Sequence, residues 1–236
     1  MKKLLVLPLL LLTGLSQAGS LDMRLSYDAT TKEYAGRVFV SNVWESGWGA
    51  SVDVPFNMTQ TKYSGDVDKL VTGTNEFTLY KNFKLSPEVF VRPGLSVQVT
   101  KDGSTSRPWV TVGRKMNDKW DTSLRYRYNN KNFDTKDLAG VMDRDNAHNL
   151  TFWNGYKVNS WLTMEYQLDY IRKVNNYAND NKKKVIFENE LVALFPNAFG
   201  KGITPYVLID HLGSVKNQSG AMETHWRPRA GLKVAF

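Results

Sequence analysis

The 236-residue sequence is 42% hydrophobic, 12% aromatic and 23% charged, the composition of one sizeable folded domain and not of a disordered charged tail. It holds no cysteine and three histidines, which excludes disulfides, thiolate nucleophiles and cysteine-ligated metal centres and argues against a multi-histidine metal site, so neither cofactor nor metal is expected. The formal charge is +8, from 31 Lys and Arg against 23 Asp and Glu. That excess invites a nucleic-acid reading, which the N-terminus counters.

Lys2 and Lys3 precede an apolar run from Leu4 to Leu12, and Ser16-Gln17-Ala18 supplies small residues for cleavage. Residues 1–18 therefore read as a cleaved secretory signal and 19–236 as a single domain. With Lys2 and Lys3 gone, 29 basic residues face 23 acidic ones, a net +6. Export removes intracellular nucleic acid as a partner. No later apolar stretch approaches the 18 or so residues of a helical span.

The mature chain alternates with period two along its whole length. Leu21, Met23, Leu25 and Tyr27 alternate with Asp22, Arg24 and Ser26, and a weaker window covers 34–42. In 47–57, Trp48, Ala50, Val52, Val54 and Phe56 share a face; 74–83 is again weaker. Segment 89–100 sets Val91, Leu95, Val97 and Val99 against Arg92, Ser96 and Gln98, and 107–115 continues the pattern. Segment 119–129 opposes Leu124, Tyr126 and Tyr128 to Arg125, Arg127 and Asn129, followed by 148–158. Segment 161–171 opposes Leu162, Met164, Tyr166, Leu168 and Tyr170 to Glu165, Gln167 and Asp169; 184–194 and 203–212 come next. The last window, 225–236, sets Trp226, Leu232, Val234 and Phe236 against Arg227, Arg229 and Lys233.

There are twelve such windows, an even number, each of about ten residues, the length that crosses a bilayer at a tilt. Short gaps (43–47, 84–88, 116–118, 159–160, 195–202) alternate with gaps that are mostly long and polar (58–73, 130–147, 172–183, 213–224, with shorter members at 28–33 and 101–106). An antiparallel meander with tight turns at one end and loops at the other has this form, and the short turns of outer-membrane barrels are periplasmic. The pattern predicts an all-β fold, a 12-stranded antiparallel transmembrane β-barrel with both termini on the periplasmic side. A secreted soluble sandwich or lipocalin-like barrel would bury its apolar face and expose the polar one. Here Arg, Asp and Glu sit mid-strand opposite a broad apolar face, which suits lipid outside and a wet lumen inside.

Strict parity sends Phe39, Phe90, Trp109, Ile186, Val192 and Leu208 inward and Lys81 outward, and leaves the registers of 34–42 and 184–194 the least determined. Phe39 or Trp109 would line a narrow lumen, and Lys81 near a strand end would snorkel; the alternative is a bulge that shifts the phase. Pro93, Pro108 and Pro228 each remove a ladder donor and are expected near rims or bulges.

Leu21-Asp22-Met23-Arg24, Val91-Arg92-Pro93-Gly94, Leu124-Arg125-Tyr126-Arg127-Tyr128, Asp137-Leu138-Ala139-Gly140, Asp143-Arg144-Asp145-Asn146 and Ile203-Thr204-Pro205-Tyr206, in this order, carry a resemblance. The chain resembles, over essentially its whole mature length, the small monomeric porins of enteric bacteria that include the oligogalacturonate-specific and sialic-acid channels. The resemblance implies a monomeric outer-membrane barrel whose inward basic residues guide acidic oligosaccharides. That role carries to Arg24, Arg92, Arg125 and Arg127, and by parity to Arg227 and Arg229, although Pro228 between them is a departure. Leu208, where a polar inward residue would be expected, is another. The terminal Phe236 resembles the aromatic end read by the barrel assembly machinery.

Parity places ten basic side chains inward: Arg24, Arg37, Arg92, Arg107, Arg125, Arg127, Lys157, Arg227, Arg229 and Lys233. Eight acids oppose them: Asp22, Asp53, Glu76, Glu165, Asp169, Glu188, Glu190 and Asp210. An excess of two supports only a weak anion preference. Location adds a transverse field: Arg24, Arg37, Arg227 and Arg229 fall on segments 12, 1 and 2, which adjoin once the barrel closes, while Glu165, Asp169, Glu188 and Glu190 fall on segments 9 and 10. The alternative is that the arginines pair with lumen acids.

Outer-membrane lipid, with lipopolysaccharide near Lys182-Lys183-Lys184, is the expected surround. The other readings are a general diffusion channel, a barrel enzyme, and an adhesion or anchor protein. His148, His211 and His225 lie near loop ends without an evident catalytic partner, although His211 and Ser214 are close in sequence. The expected protein is therefore a porin and not an enzyme.

Overall fold

The computed structural model describes residues 18–28, 33–60, 67–100, 103–133, 146–174, 185–216 and 222–236. Its strands are β1 (Ala18–Asp28), β2 (Glu33–Val43), β3 (Trp48–Gln60), β4 in three pieces (Val67–Thr72, Asn75–Lys81, Phe83–Lys84), β5 (Val89–Thr100) and β6 (Gly103–Lys115). Then come β7 (Trp120–Phe133), β8 (Ala147–Lys157), β9 (Thr163–Lys173), β10 (Val185–Leu194), β11 (Ile203–Lys216) and β12 (Met222–Ala235). Every strand pairs antiparallel with its chain neighbours, and β1 also pairs with β12, from Ser20↔Ala235 to Ser26↔Arg229. The sheet is a closed 12-stranded barrel, so no strand edge is left to meet hydrocarbon.

The chain's last residue completes the closure. Gly19 and Phe236 exchange two backbone hydrogen bonds, N to O 2.9 Å and 3.0 Å, and the Phe236 ring covers Gly19 where a Cβ would lie 2.3 Å from it. Turns at 44–47, 85–88, 116–119, 158–162 and 195–202 share the end that holds residues 18 and 236. The longest of them is set by Asn197, whose φ of 59° reverses the chain and whose Oδ1 accepts from Gly202 N at 2.9 Å.

Prolines fix the irregularities. β4 breaks at Gly73-Thr74, beside Pro55 of β3, and the register against β3 slips by one residue there. It breaks again at Asn82, diagonal to Pro93, but resumes in the same register against β5. The β6–β7 ladder likewise skips Arg107-Pro108 without a shift. Pro93 and Pro108 thus occupy gaps in mid-wall ladders, not the rims or bulges expected. Pro228 does lie beyond the last β1–β12 pair, two residues from the β11–β12 bulge. At Pro93 and Pro108 the missing N–H suspends one bond without a register change, because the flanking pairs hold the phase.

Leu25 (58% exposed), Val207 (52%) and Phe187 (53%) are typical of the outward stripe, far more apolar surface than water tolerates on a soluble protein. Trp48, Trp120, Tyr156, Trp161 and Phe236 ring the turn end; Tyr27, Tyr34, Tyr126 and Trp226 lie toward the other, giving the two aromatic girdles of a membrane barrel. Lys81 lies at the turn end too, its Nζ donating to Ser46 O and standing 5.4 Å from the Trp48 ring centroid. The inner face carries most of the buried polar residues, among them Ser96, Thr105, Thr111, Asn149, Thr151, Asp169 and Asp210. Val192 and Leu208 do turn inward, joining Leu194 and Tyr206 in a buried apolar cluster near the turn end.

Candidate functional site

The lumen is shaped by aromatic rings laid flat on glycines. Tyr80, Phe90, Trp109 and Tyr206 each lie opposite a glycine of the next strand, Gly49, Gly113, Gly94 and Gly231, and a Cβ on any of these would fall 2.2 to 2.3 Å from the ring. Absent side chains let the rings lie along the wall, where an upright Trp109 would block a barrel this narrow. Trp109 Nε1 is fixed by Ser96 Oγ at 3.2 Å.

Those rings carry arginines on the β5–β8 wall. The Arg92 guanidinium sits 5.1 Å from the Tyr80 centroid and 5.0 Å from Phe90, with its Nε donating to Asn82 Oδ1. Arg125 lies 4.4 Å over the Trp153 ring and donates through Nη2 to Thr151 Oγ1 at 3.4 Å; Thr151 in turn donates to Asp169 Oδ1 at 2.5 Å. Arg127 is opposite Trp109 in register. Arg107 pairs with Glu76, Nη1 to Oε2 2.6 Å. Among the described residues, no ion pair involves Arg92, Arg125 or Arg127. Arg125 Nε and Arg127 Nε are buried donors with no protein acceptor.

On the opposite wall, the arginines are held by acids. Arg37 Nε meets Asp53 Oδ1 at 2.8 Å, and Arg227 Nε meets Asp210 Oδ2 at 3.1 Å. Arg229 contacts the same Asp210 oxygen and approaches Glu190 at 3.8 Å. Arg24 donates to Tyr206 OH at 3.0 Å and stands 3.7 Å from Glu190 and 3.9 Å from Asp22, while Tyr206 OH donates to Asp22. Lys233 Nζ is 3.8 Å from Glu165.

This differs from the expected transverse field. Asp22, Asp53 and Asp210, on β1, β3 and β11, sit among the arginines of β12, β1 and β2, and Glu190 reaches them across β11. Among the described residues, the inward arginines without carboxylate partners lie on β5 and β7. Parity tells which face a side chain takes; it does not tell how far a long arm reaches over intervening strands.

The open space runs through three adjoining cavities. One of about 390 Å³ is lined by Arg227, Arg229, Glu188 and Asp169 and extends to Lys233, Trp153 and Glu165. A second, about 270 Å³, is lined by Arg92, Arg125, Trp109 and Phe90 and shares Trp153 and Glu165 with the first. The third, about 750 Å³ at the turn end, shares Phe90, Asp121 and Ser123 with the second and adds Lys84, Lys115 and Lys157. At that mouth, Lys115 Nζ donates to Asp118 Oδ1 at 2.7 Å, which holds the exposed Asp118 carboxyl below the usual carboxylate range. The inward charged residues named from sequence line this passage or join the ion-pair network beside it, except Arg127, which stands next to it opposite Trp109. Phe90 was placed inward from sequence; Tyr80 and Trp153 as rests of Arg92 and Arg125, and the inward Asp121, Lys84 and Lys115, were not named, although each sits on the parity face that would have found it.

Histidines supply no catalytic arrangement among the described residues. His148 Nδ1 hydrogen-bonds Tyr126 OH at 2.8 Å, His211 packs on Trp226, and His225 contacts Asp28. The segments 137–140, 143–145 and 182–184 lie outside the described residues.

The family model described as oligogalacturonate-specific porin protein (KdgM) matches residues 13–236. The chain is 30% identical over 223 residues to the N-acetylneuraminic acid outer membrane channel protein NanC of Escherichia coli K12, covering 93% of this chain and 92% of that one. Its fold superposes on the NanC porin structure with a TM-score of 0.77 at 26% identity, over 91% of this chain and 98% of the other. It also superposes on the KdgM porin, TM-score 0.65 at 16% identity, over 92% and 99%. With a closed barrel, a lipid-compatible outside and a polar passage inside, these matches make the chain a non-enzymatic outer-membrane porin of the KdgM family.

Proposed function

We propose that this porin passes acidic oligosaccharides, oligogalacturonate-like or sialic-acid-like, passively down their gradient, guided by Arg92, Arg107, Arg125 and Arg127 and handed on by the remaining inward basic residues. The reading rests chiefly on Arg92, Arg125 and Arg127, which keep their charge without a carboxylate partner. A guanidinium fork matches a planar carboxylate and stays charged at any relevant pH, and an aromatic rest holds it oriented without neutralising it. Binding strong enough to attract and weak enough to release is what conduction needs. The names of the NanC and KdgM relatives agree with this chemistry.

The protein would act as a monomer after loss of residues 1–18, with the turn end and both termini periplasmic and Phe236 read during assembly. Lipopolysaccharide would surround the opposite rim.

A general diffusion channel with weak anion preference is the second reading, favoured by the small inward excess of basic groups, two by the sequence count, to which Lys84 and Lys115 add and from which Asp121 subtracts. Single-channel recording separates the two. Digalacturonate or N-acetylneuraminate added to one side will interrupt the current at concentrations where a neutral sugar of equal size does not. Equal interruption by both would leave the general channel.

A further inference from the structure

The arginine wall and the clamped wall meet at one place. Trp153 and Glu165 are the two side chains common to the 390 Å³ and 270 Å³ cavities, so a solute crossing from one to the other passes between them. Trp153 is held under Arg125. Glu165 stands on β9 opposite Gly155 on one side and Val192 on the other, neither of which offers it a donor side chain. Its partner is Lys233, three strands away on β12, whose Nζ also lies 5.4 Å from the Tyr206 ring centroid. The intervening lumen surface is the apolar cluster of Val192, Leu194, Tyr206 and Leu208. The pair therefore crosses the lumen as a chord. It is long, 3.8 Å, and each side chain is about two-fifths exposed (38% and 40%), so it opens readily.

We infer that Glu165 and Lys233 form the charge filter of this pore, a selectivity-determining pair not among the arginines that attract the solute. This rests on the porin reading above. Glu165 opposes an anion at the narrow passage. Lys233 offsets it, and when an anion arrives Lys233 can leave Glu165 for the solute and hand it to Arg125. Repulsion from Glu165 then favours release, so the filter trades affinity for throughput.

The test is the reversal potential of single channels in a KCl gradient without sugar. Glu165→Gln will raise the anion/cation permeability ratio about 2- to 5-fold, the effect of one charge at close range in a wet narrow site. Lys233→Gln will lower it by a similar factor. Glu165→Asp, which keeps the charge but withdraws it from Lys233, will also lower it and keeps the question open to test if a neutral variant inserts poorly. Glu188→Gln removes the same charge from a residue lining only the larger cavity, and will shift the ratio less than Glu165→Gln. Equal shifts at Glu165 and Glu188, or an unchanged ratio in Lys233→Gln, would overturn the filter. Neither result bears on uptake of acidic sugars, which fails separately if those sugars do not interrupt the parent current.

Discussion

The two walls of the lumen use arginine in opposite ways. On β12, β1 and β2, guanidinium groups are spent on neighbouring carboxylates: Arg227 and Arg229 converge on Asp210, whose side chain is only 3% exposed. On β5 and β7, Arg92 and Arg125 rest on aromatic rings and keep their charge for the lumen. A count of inward charges treats the walls alike; the proposed division rests on whether an acid is within reach, since Arg24 and Arg37 also lie over rings, Tyr206 and Phe39. The first wall is close to neutral. The second is where, on the function proposed, an anion finds unoccupied donors.

The largest expected effect separates the walls by stability. Arg229→Ala strips Asp210 of its closest cation and will destabilise the barrel by about 3 kcal/mol, because a buried carboxylate left short of charge loses more than the pair contributed. Arg125→Ala, which relieves an uncompensated charge, will change stability by less than about 1 kcal/mol. Urea titration of heat-modifiable gel migration checks both, and similar losses would erase the distinction.

Next in size is sugar binding. Replacing Arg125 and Arg127 together with Gln will weaken interruption of the current by digalacturonate about tenfold, roughly 1.4 kcal/mol, in keeping with the loss of charge-assisted hydrogen bonds. Measured dwell times will shorten while open conductance is kept. Arg37→Gln will change dwell time less, since Arg37 is already engaged by Asp53.

Salt sharpens the comparison further. Raising ionic strength from about 0.1 M to 1 M contracts the screening length from about 10 Å to 3 Å. The flux preference for acidic over neutral sugars will fall severalfold, while barrel stability, which depends on the short-range pairs of the other wall, will change little.

The smallest effect concerns the ring beneath Arg125. Trp153→Leu removes the cation–π rest, worth about 0.5–1 kcal/mol at a wet site. Dwell times of acidic sugars will drop about 2- to 5-fold without loss of anion selectivity, as single-channel traces will show.

The barrel was largely legible because alternation has a physical cause that acts locally: lipid on one side, water on the other. The window 89–100 coincides with β5, and the twelve windows match the twelve strands. β3, β7 and β11 run further at the loop end than periodicity indicated, to Gln60, Phe133 and Lys216, because beyond the lipid band both faces can be polar and alternation disappears. The breaks in β4 were hidden for another reason: they answer prolines on the neighbouring strands, Pro55 and Pro93, not residues of β4 itself.

The site was half legible. Facing follows from parity, so Arg92, Arg125 and Arg127 could be named. Pairing does not, since Glu190 reaches Arg24 over β11 and β12, and Lys233 reaches Glu165 over β10 and β11. Side-chain reach across a closed barrel depends on curvature and register that no single strand encodes. The glycine opposite each flat ring, such as Gly94 under Trp109, could be recognised only once cross-strand register was known.

The most direct test of the division between walls is the reversal potential in a KCl gradient for two double variants, Arg125→Gln with Arg127→Gln, and Arg227→Gln with Arg229→Gln. The parent will be anion-selective. The first double variant will lose most of that selectivity, and the second, in those channels that insert, will retain most of it. A cation-selective parent, or equal loss in the two variants, would contradict the assignment of the anion path to the β5–β7 wall.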